Sequence, residues 1–198
     1  MDIGPPQLEA PGAGFPGWQR LAGKYFYLPL WCLYSSWERT PDVLEEQAGR
    51  LLQGAASLGD ELMQRRVLIP PLVGLEDSSR YDSYAMVLEH LTIVGHAVAR
   101  IVVDITHGRR HTVALRTAEV KAEGLAAPSE VAAGYREMLA AFRHAALDPG
   151  ADRRSPLRHD HPFFGALDAY QWLCFATLHQ VVHLKQARAI LRRIRPRG

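Results

Sequence analysis

Thr177-Leu178-His179-Gln180-Val181-Val182-His183 is the stretch of this chain best equipped for chemistry. Residues four apart on a helix lie one above the other, so the imidazoles of His179 and His183 can turn a nitrogen toward one point. Such a pair suits a metal ion. A third imidazole, His90, falls in an apolar helical segment far upstream. It stands three after Val87 and four before Val94, on the shoulder of a buried face. Three imidazoles without a cysteine ligand would hold a divalent ion, zinc, nickel or similar, with an open position for water or substrate. The glutamate of H-E-x-x-H is missing, because Gln180 follows His179, so a zinc-protease reading lacks its general base. The plain alternative is two core histidines bonded to backbone or water.

Other side chains gather around this pattern. Gln186 follows His183 by three and His179 by seven. It faces the same way and is expected either to hydrogen-bond a ligand ring or to fill the core. Trp172 and Phe175 precede His179 on the same helix and are expected to wall a pocket. Tyr84 is placed at its rim and His161 near its mouth. No catalytic acid or base can be assigned; Glu89 adjoins His90 but points about 100° away.

The elements that must position these groups are helical. From Thr40 to about Arg65, Leu44, Ala48, Leu51, Leu52, Ala55, Leu58 and Leu62 form one apolar stripe. A second helix is predicted from about Asp82 to His107, and a third from Ser129 to about Leu147. A fourth opens at Asp168, with Gln171 completing a capping box. Residues 108–128 lack helical period and read as a crossover loop, with Val113, Leu115 and Thr117 alternating in a short extended piece. The expected fold is all-α, a four-helix bundle over residues 40–198 with a long crossover.

Ahead of the bundle lie two different segments. Residues 1–17 carry four prolines and four glycines and are expected to form a mobile or loosely draped tail. Residues 18–39 hold seven aromatics: Trp18, Tyr25, Phe26, Tyr27, Trp31, Tyr34 and Trp37. This aromatic extension reads as a strap over the domain, or as a lid or a homodimer contact.

The bulk numbers set limits. A chain of 198 residues with 47% hydrophobic and 22% charged content is expected to be one soluble domain, or one domain with an extension. A net charge of +2 gives no reason to expect nucleic acid. Arg188, Arg192, Arg193, Arg195 and Arg197 crowd the C-terminus, where cations complement the helix dipole. Cys32 and Cys174 read as buried free thiols far from one another, in a reducing compartment. The longest apolar stretch, Tyr25 to Tyr34, is about half a membrane span. No signal sequence is evident, so a cytoplasmic protein without membrane contact is expected.

The run His161-Pro162-Phe163-Phe164-Gly165-Ala166-Leu167, then Trp172, then His179-x3-His183 with Gln186, resembles the end of the DinB-like superfamily. Tyr84-Ala85-Met86-Val87-Leu88-Glu89-His90-Leu91 is similar to that family's second helix, and the likeness covers roughly residues 40–194. The resemblance implies a four-helix bundle holding a divalent metal through His90, His179 and His183. It implies a small-molecule substrate and, in related members, thiol-dependent transferase or isomerase chemistry with a low-molecular-weight thiol co-substrate. The aromatic segment 18–39 departs from the family pattern. The competing class is non-catalytic: a helical binding or stress-response protein whose metal site is structural or senses ions. A third reading has no metal, with the aromatic segment mediating assembly.

Overall fold

The computed structural model describes residues 6–113, 116 and 118–195. Leu115, Thr117 and Arg197 lie outside them. The N-terminal extension is helical: α1 (Gly17–Ala22) runs through a π-helical turn (Gly23–Tyr27) into α2 (Leu28–Tyr34). The bundle helices are α3 (Thr40–Ala56), α5 (Tyr84–Thr106), α6 (Pro128–Leu147) and α7 (Ala169–Ile194). A short α4 (Asp60–Gln64) follows α3. Helix α5 packs on α6 and α7, and α3 packs on α7 and α6, which leaves α3 diagonal to α5 and α6 diagonal to α7. This is the four-helix bundle expected from the periodicity.

Boundaries follow from local chemistry. The predicted first helix breaks at Ser57, whose hydroxyl bonds back to Gly54 O, and restarts after Gly59 in extended backbone. Ser83, not Asp82, caps α5 by accepting from Met86 N–H at 3.2 Å. Asp168 and Gln171 make the expected reciprocal box at the start of α7, at 2.9 and 3.1 Å. Pro29 cannot donate to the carbonyl four residues back, and the helix just before it loosens so that Leu28 N–H reaches Gly23 O.

One glycine is required by close approach. A Cβ at Gly54 in α3 would overlap the Tyr84 hydroxyl, which donates to Leu51 O at 2.8 Å. Gly54→Ala gains about 1 kcal/mol of helix propensity. It should lose more, because displacing Tyr84 strands a buried hydroxyl and overpacks the helix contact, each costing about 1–3 kcal/mol. Urea unfolding should therefore give a lower midpoint for the variant.

A short hairpin was not foreseen. Strand β1 (His159–His161) pairs antiparallel with β2 (Gly165–Leu167), with His161 opposite Gly165. Gly165 takes φ +77°, which lets the three-residue connection Pro162-Phe163-Phe164 close. The hairpin sets His161 against the start of α7.

The segment 18–39 has two faces. Leu28 is buried, and Trp31 Nε1 donates to Thr177 Oγ1 of α7 at 2.8 Å. The opposite side faces outward, with Phe26 71% and Tyr34 82% exposed. Ahead of it the tail is draped on the body: Glu9 N–H donates to Asp77 Oδ2 at 3.0 Å, and the rings of Phe15 and Phe163 lie 4.7 Å apart. The cysteines correct the expectation of distant thiols. Cys32 of α2 and Cys174 of α7 are both free, and their thiols lie close enough to perturb one another. The fold brings them together because α2 lies along α7.

Among the described residues, α5 alone is long and apolar enough to cross a membrane by length and composition. Its Val87, Leu88, Val98, Ile101 and Val102 are buried inside the bundle, so its apolarity serves the core.

Candidate metal centre

His90 stands in the second turn of α5; His179 and His183 stand in the middle of α7. Packing of α5 on α7 carries the three rings together. Nε2 of His179 lies 3.3 Å from Nε2 of His90 and 3.0 Å from Nε2 of His183. One nitrogen from each ring falls within 4.8 Å of the other two.

The opposite nitrogens fix the tautomers. His90 Nδ1–H donates to Val120 O at 2.7 Å, a carbonyl of the crossover segment. His183 Nδ1–H donates to Gln186 Oε1 at 2.6 Å. Gln186 is oriented in turn, because its Nε2 donates to Ser79 O at 2.7 Å and to Asp82 Oδ2 at 3.1 Å. Both rings therefore present a bare Nε2 lone pair to His179. One proton on His179 Nε2 can serve only one of these neighbours. A cation at the meeting point satisfies all three nitrogens, and the donor set suits zinc, nickel and related divalent ions rather than magnesium or calcium. The residues fit a divalent transition ion.

Burial keeps these rings in the neutral, ligating form. It holds His179 well below the ordinary histidine range, with His183, His90 and His161 adding to the effect. His183 is pushed down to about 3 by burial and then by His90. Burial likewise lowers His90, and the Lys121 ammonium adds to it, against the bond to Val120. Asp82, beneath the cluster, is raised to about 6 by burial despite the pull of Lys121 and its bond from Gln186.

The three histidines sit on the wall of a cavity of about 390 Å³. Phe163, Phe164, Phe175, Leu178 and Val182 line it, and Phe15, Trp18 and Tyr27 of the N-terminal segment roof it. Gln19 ties this roof down by accepting from Gly74 N–H at 3.0 Å. At Gly23 a Cβ would press into the Phe164 ring, so the π-helical turn can rest directly on the hairpin loop.

The other expected residues divide. Phe175 lines the cavity, with its ring 5.2 Å from that of His179. His161 also lines it; it is only 5% exposed, and its ring lies 4.3 Å from Phe175. Gln186 lies under His183 rather than in the cavity. Trp172 does not wall the pocket. It is fully buried two turns from His179, donates to His159 O at 3.3 Å, and backs the rings of His161 and Phe175. Tyr84 is not at the rim, because the first turn of α5 faces α3 and draws its hydroxyl to Leu51.

Reading the residue pattern alone missed Asp82, Val120 and Lys121. Asp82 had a signal: two capping residues stand in a row at Asp82-Ser83, and only one can cap. Val120 contributes a carbonyl from an irregular segment, which no side-chain pattern reveals. Lys121 lines the cavity and donates to Ser78 O at 2.8 Å.

Gln186→Leu should weaken divalent-ion binding about 10–100-fold, because His183 loses the partner that fixes its tautomer. Competition with a chromophoric chelator measures the change, and an unaltered affinity would remove Gln186 from the site.

No family model and no curated protein matches the chain. Among solved structures it is similar to TT2238, a four-helix bundle protein, at 23% identity and a TM-score of 0.56. The match covers 78% of this chain and 98% of that one. It speaks for the fold alone.

Proposed function

We propose that this chain is a DinB-like, divalent-metal-dependent enzyme that joins a low-molecular-weight thiol to a small, largely apolar substrate, or isomerises such a substrate. One observation carries the reading: three neutral imidazole nitrogens converge on the wall of a roofed cavity instead of being sealed in the core. His90, His179 and His183 hold the ion. A bound divalent ion supplies Lewis acidity, which lowers the pKa of a water or thiol presented to it toward neutrality.

The chain's own groups do the rest. Phe163, Phe164 and Phe175 take the apolar body of the substrate. Lys121 spends one N–H on Ser78 O and keeps donors for an anionic group. The roof of Phe15, Trp18 and Tyr27 excludes water. Cytoplasmic placement belongs to the same reading, since both the thiol co-substrate and the free cysteines call for a reducing compartment.

The test loads purified protein with zinc or nickel and offers a panel of small thiols with an apolar electrophile. Metal-dependent thiol consumption that is lost in His183→Ala supports the enzyme. A protein that holds its ion firmly, consumes no thiol and perturbs no thiol on a cobalt-substituted centre is instead the structural or sensing protein.

A further inference from the structure

Cys32 and Cys174 lie away from the histidine cluster and take no part in the function proposed above. Their setting is defined by contacts on either side. The Tyr170 hydroxyl donates to Cys32 O at 2.8 Å, and Trp31 Nε1 donates to Thr177 Oγ1 at 2.8 Å. Cys174 falls one turn after Tyr170 and just before Thr177 on α7, so it faces α2 between these two bonds. The two thiols lie close enough across that interface to perturb one another. Their exposures differ: Cys32 is half-buried, whereas Cys174 is 0% exposed.

We propose that Cys32 and Cys174 form a reversible dithiol–disulfide pair, oxidised by a hydroperoxide, that pins α2, the helix that follows the cavity roof in the chain, to α7. The two sulfurs have different roles. Cys32 is the one a peroxide can reach, and the Cys174 thiol beside it draws it below the ordinary range, against burial and the Asp168 carboxylate. Cys174 is pushed the other way, above the ordinary range, by the neighbouring Cys32 and by burial. Partial exposure marks the attacking sulfur, and a neighbouring protected thiol marks the resolving one.

The chemistry balances with one hydroperoxide. The Cys32 thiolate attacks the terminal peroxide oxygen; the S–O bond forms and the O–O bond breaks. The leaving alkoxide or hydroxide takes a proton to become an alcohol or water. Cys32 is then a sulfenic acid. The Cys174 sulfur attacks the Cys32 sulfur, forming S–S and breaking S–O, and the expelled hydroxide leaves as water with the Cys174 proton. Two thiols are oxidised and one peroxide is reduced. Two equivalents of a small thiol reverse the step by exchange.

The consequence lies at the cavity. Helix α2 continues through the π-helical turn into the roof residues Tyr27 and Trp18. In the reduced chain α2 is held to α7 by packing and the two hydrogen bonds named above. A covalent link adds a restraint that those bonds cannot match, so the roof opens less often.

The test uses the full chain without added metal, which separates it from the enzyme reading. Protein is treated with hydrogen peroxide, alkylated, and mapped by non-reducing peptide mass spectrometry. The expected result is loss of both free thiols and a Cys32–Cys174 linked peptide, reversed by dithiothreitol. Cys174→Ser should stop at a dimedone-reactive sulfenic acid on Cys32, and Cys32→Ser should leave Cys174 unmodified. Limited proteolysis within residues 17–34 should be slower in the oxidised wild type than in the reduced. Oxidation of Cys32 to sulfinic acid without the crosslink, or disulfides only between chains, overturns the pair. Equal cleavage rates in a fully crosslinked sample overturn the pin. The wild-type peptide map decides the crosslink even where a cysteine variant folds poorly.

Discussion

His179→Ala is expected to abolish the stabilisation that a divalent ion gives the wild-type chain. His179 is the hub of the cluster, since its Nε2 is the atom nearest both other rings. A ligand that binds only the folded state at about 1,000 times its Kd adds about 4 kcal/mol of stability. The wild type should show that gain with zinc or nickel in a thermal or urea titration, and the variant should show almost none. Without metal the cost of the substitution is small. The variant relieves a crowded set of three buried nitrogens, so its metal-free form should lose far less stability than a large core truncation costs. Far-ultraviolet circular dichroism should report near-normal helix content. A metal-dependent shift of wild-type size in His179→Ala would remove the hub from the site.

The second large effect is acid destabilisation through His161. Burial, with His159 adding to it, pushes this imidazole down to about 3 from an ordinary value of 6.5. Between those two values the unfolded chain takes up a proton that the folded chain refuses. Stability therefore falls as pH drops through 6.5 and keeps falling toward 3. From pH 7 to 4.5 this one group costs about 3 kcal/mol. His183, also down to about 3, acts in the same direction while metal-free. Asp82 acts oppositely: its folded value of about 6 lies above the ordinary 3.8. Its contribution is present at low pH and is lost as pH rises through 6. The clean comparison is therefore between wild type and His161→Phe. The difference in unfolding free energy should shift by about 3 kcal/mol in favour of the variant over that interval. Parallel pH profiles would show that His161 is not held neutral by its surroundings.

Much of the bundle was legible in the residue pattern, and the reasons are local. The stripe Leu44, Ala48, Leu51 and Ala55 can be buried in only one way on a helix, and all four are buried. The caps of α7 are side chains that name their own partners. The histidine cluster was legible because His179 and His183 share a face on one helix, and because His90 breaks an otherwise apolar surface. What escaped depends on long-range placement. The His159–Leu167 hairpin is too short to carry a period. Tyr84 and Trp172 lie on faces that periodicity assigns to the interior without saying which end of the interior. The carbonyl of Val120 and the Cys32–Cys174 contact depend on how a loop and an appended helix settle on the bundle, which no local pattern encodes.

X-ray absorption spectroscopy of the zinc-loaded full chain tests the central claim most directly. It should report three imidazole nitrogens at about 2.0–2.1 Å with a further light-atom ligand and no sulfur, and His90→Ala should reduce the imidazole count to two. A sulfur shell, or a spectrum unchanged by His90→Ala, would contradict a centre shared between α5 and α7.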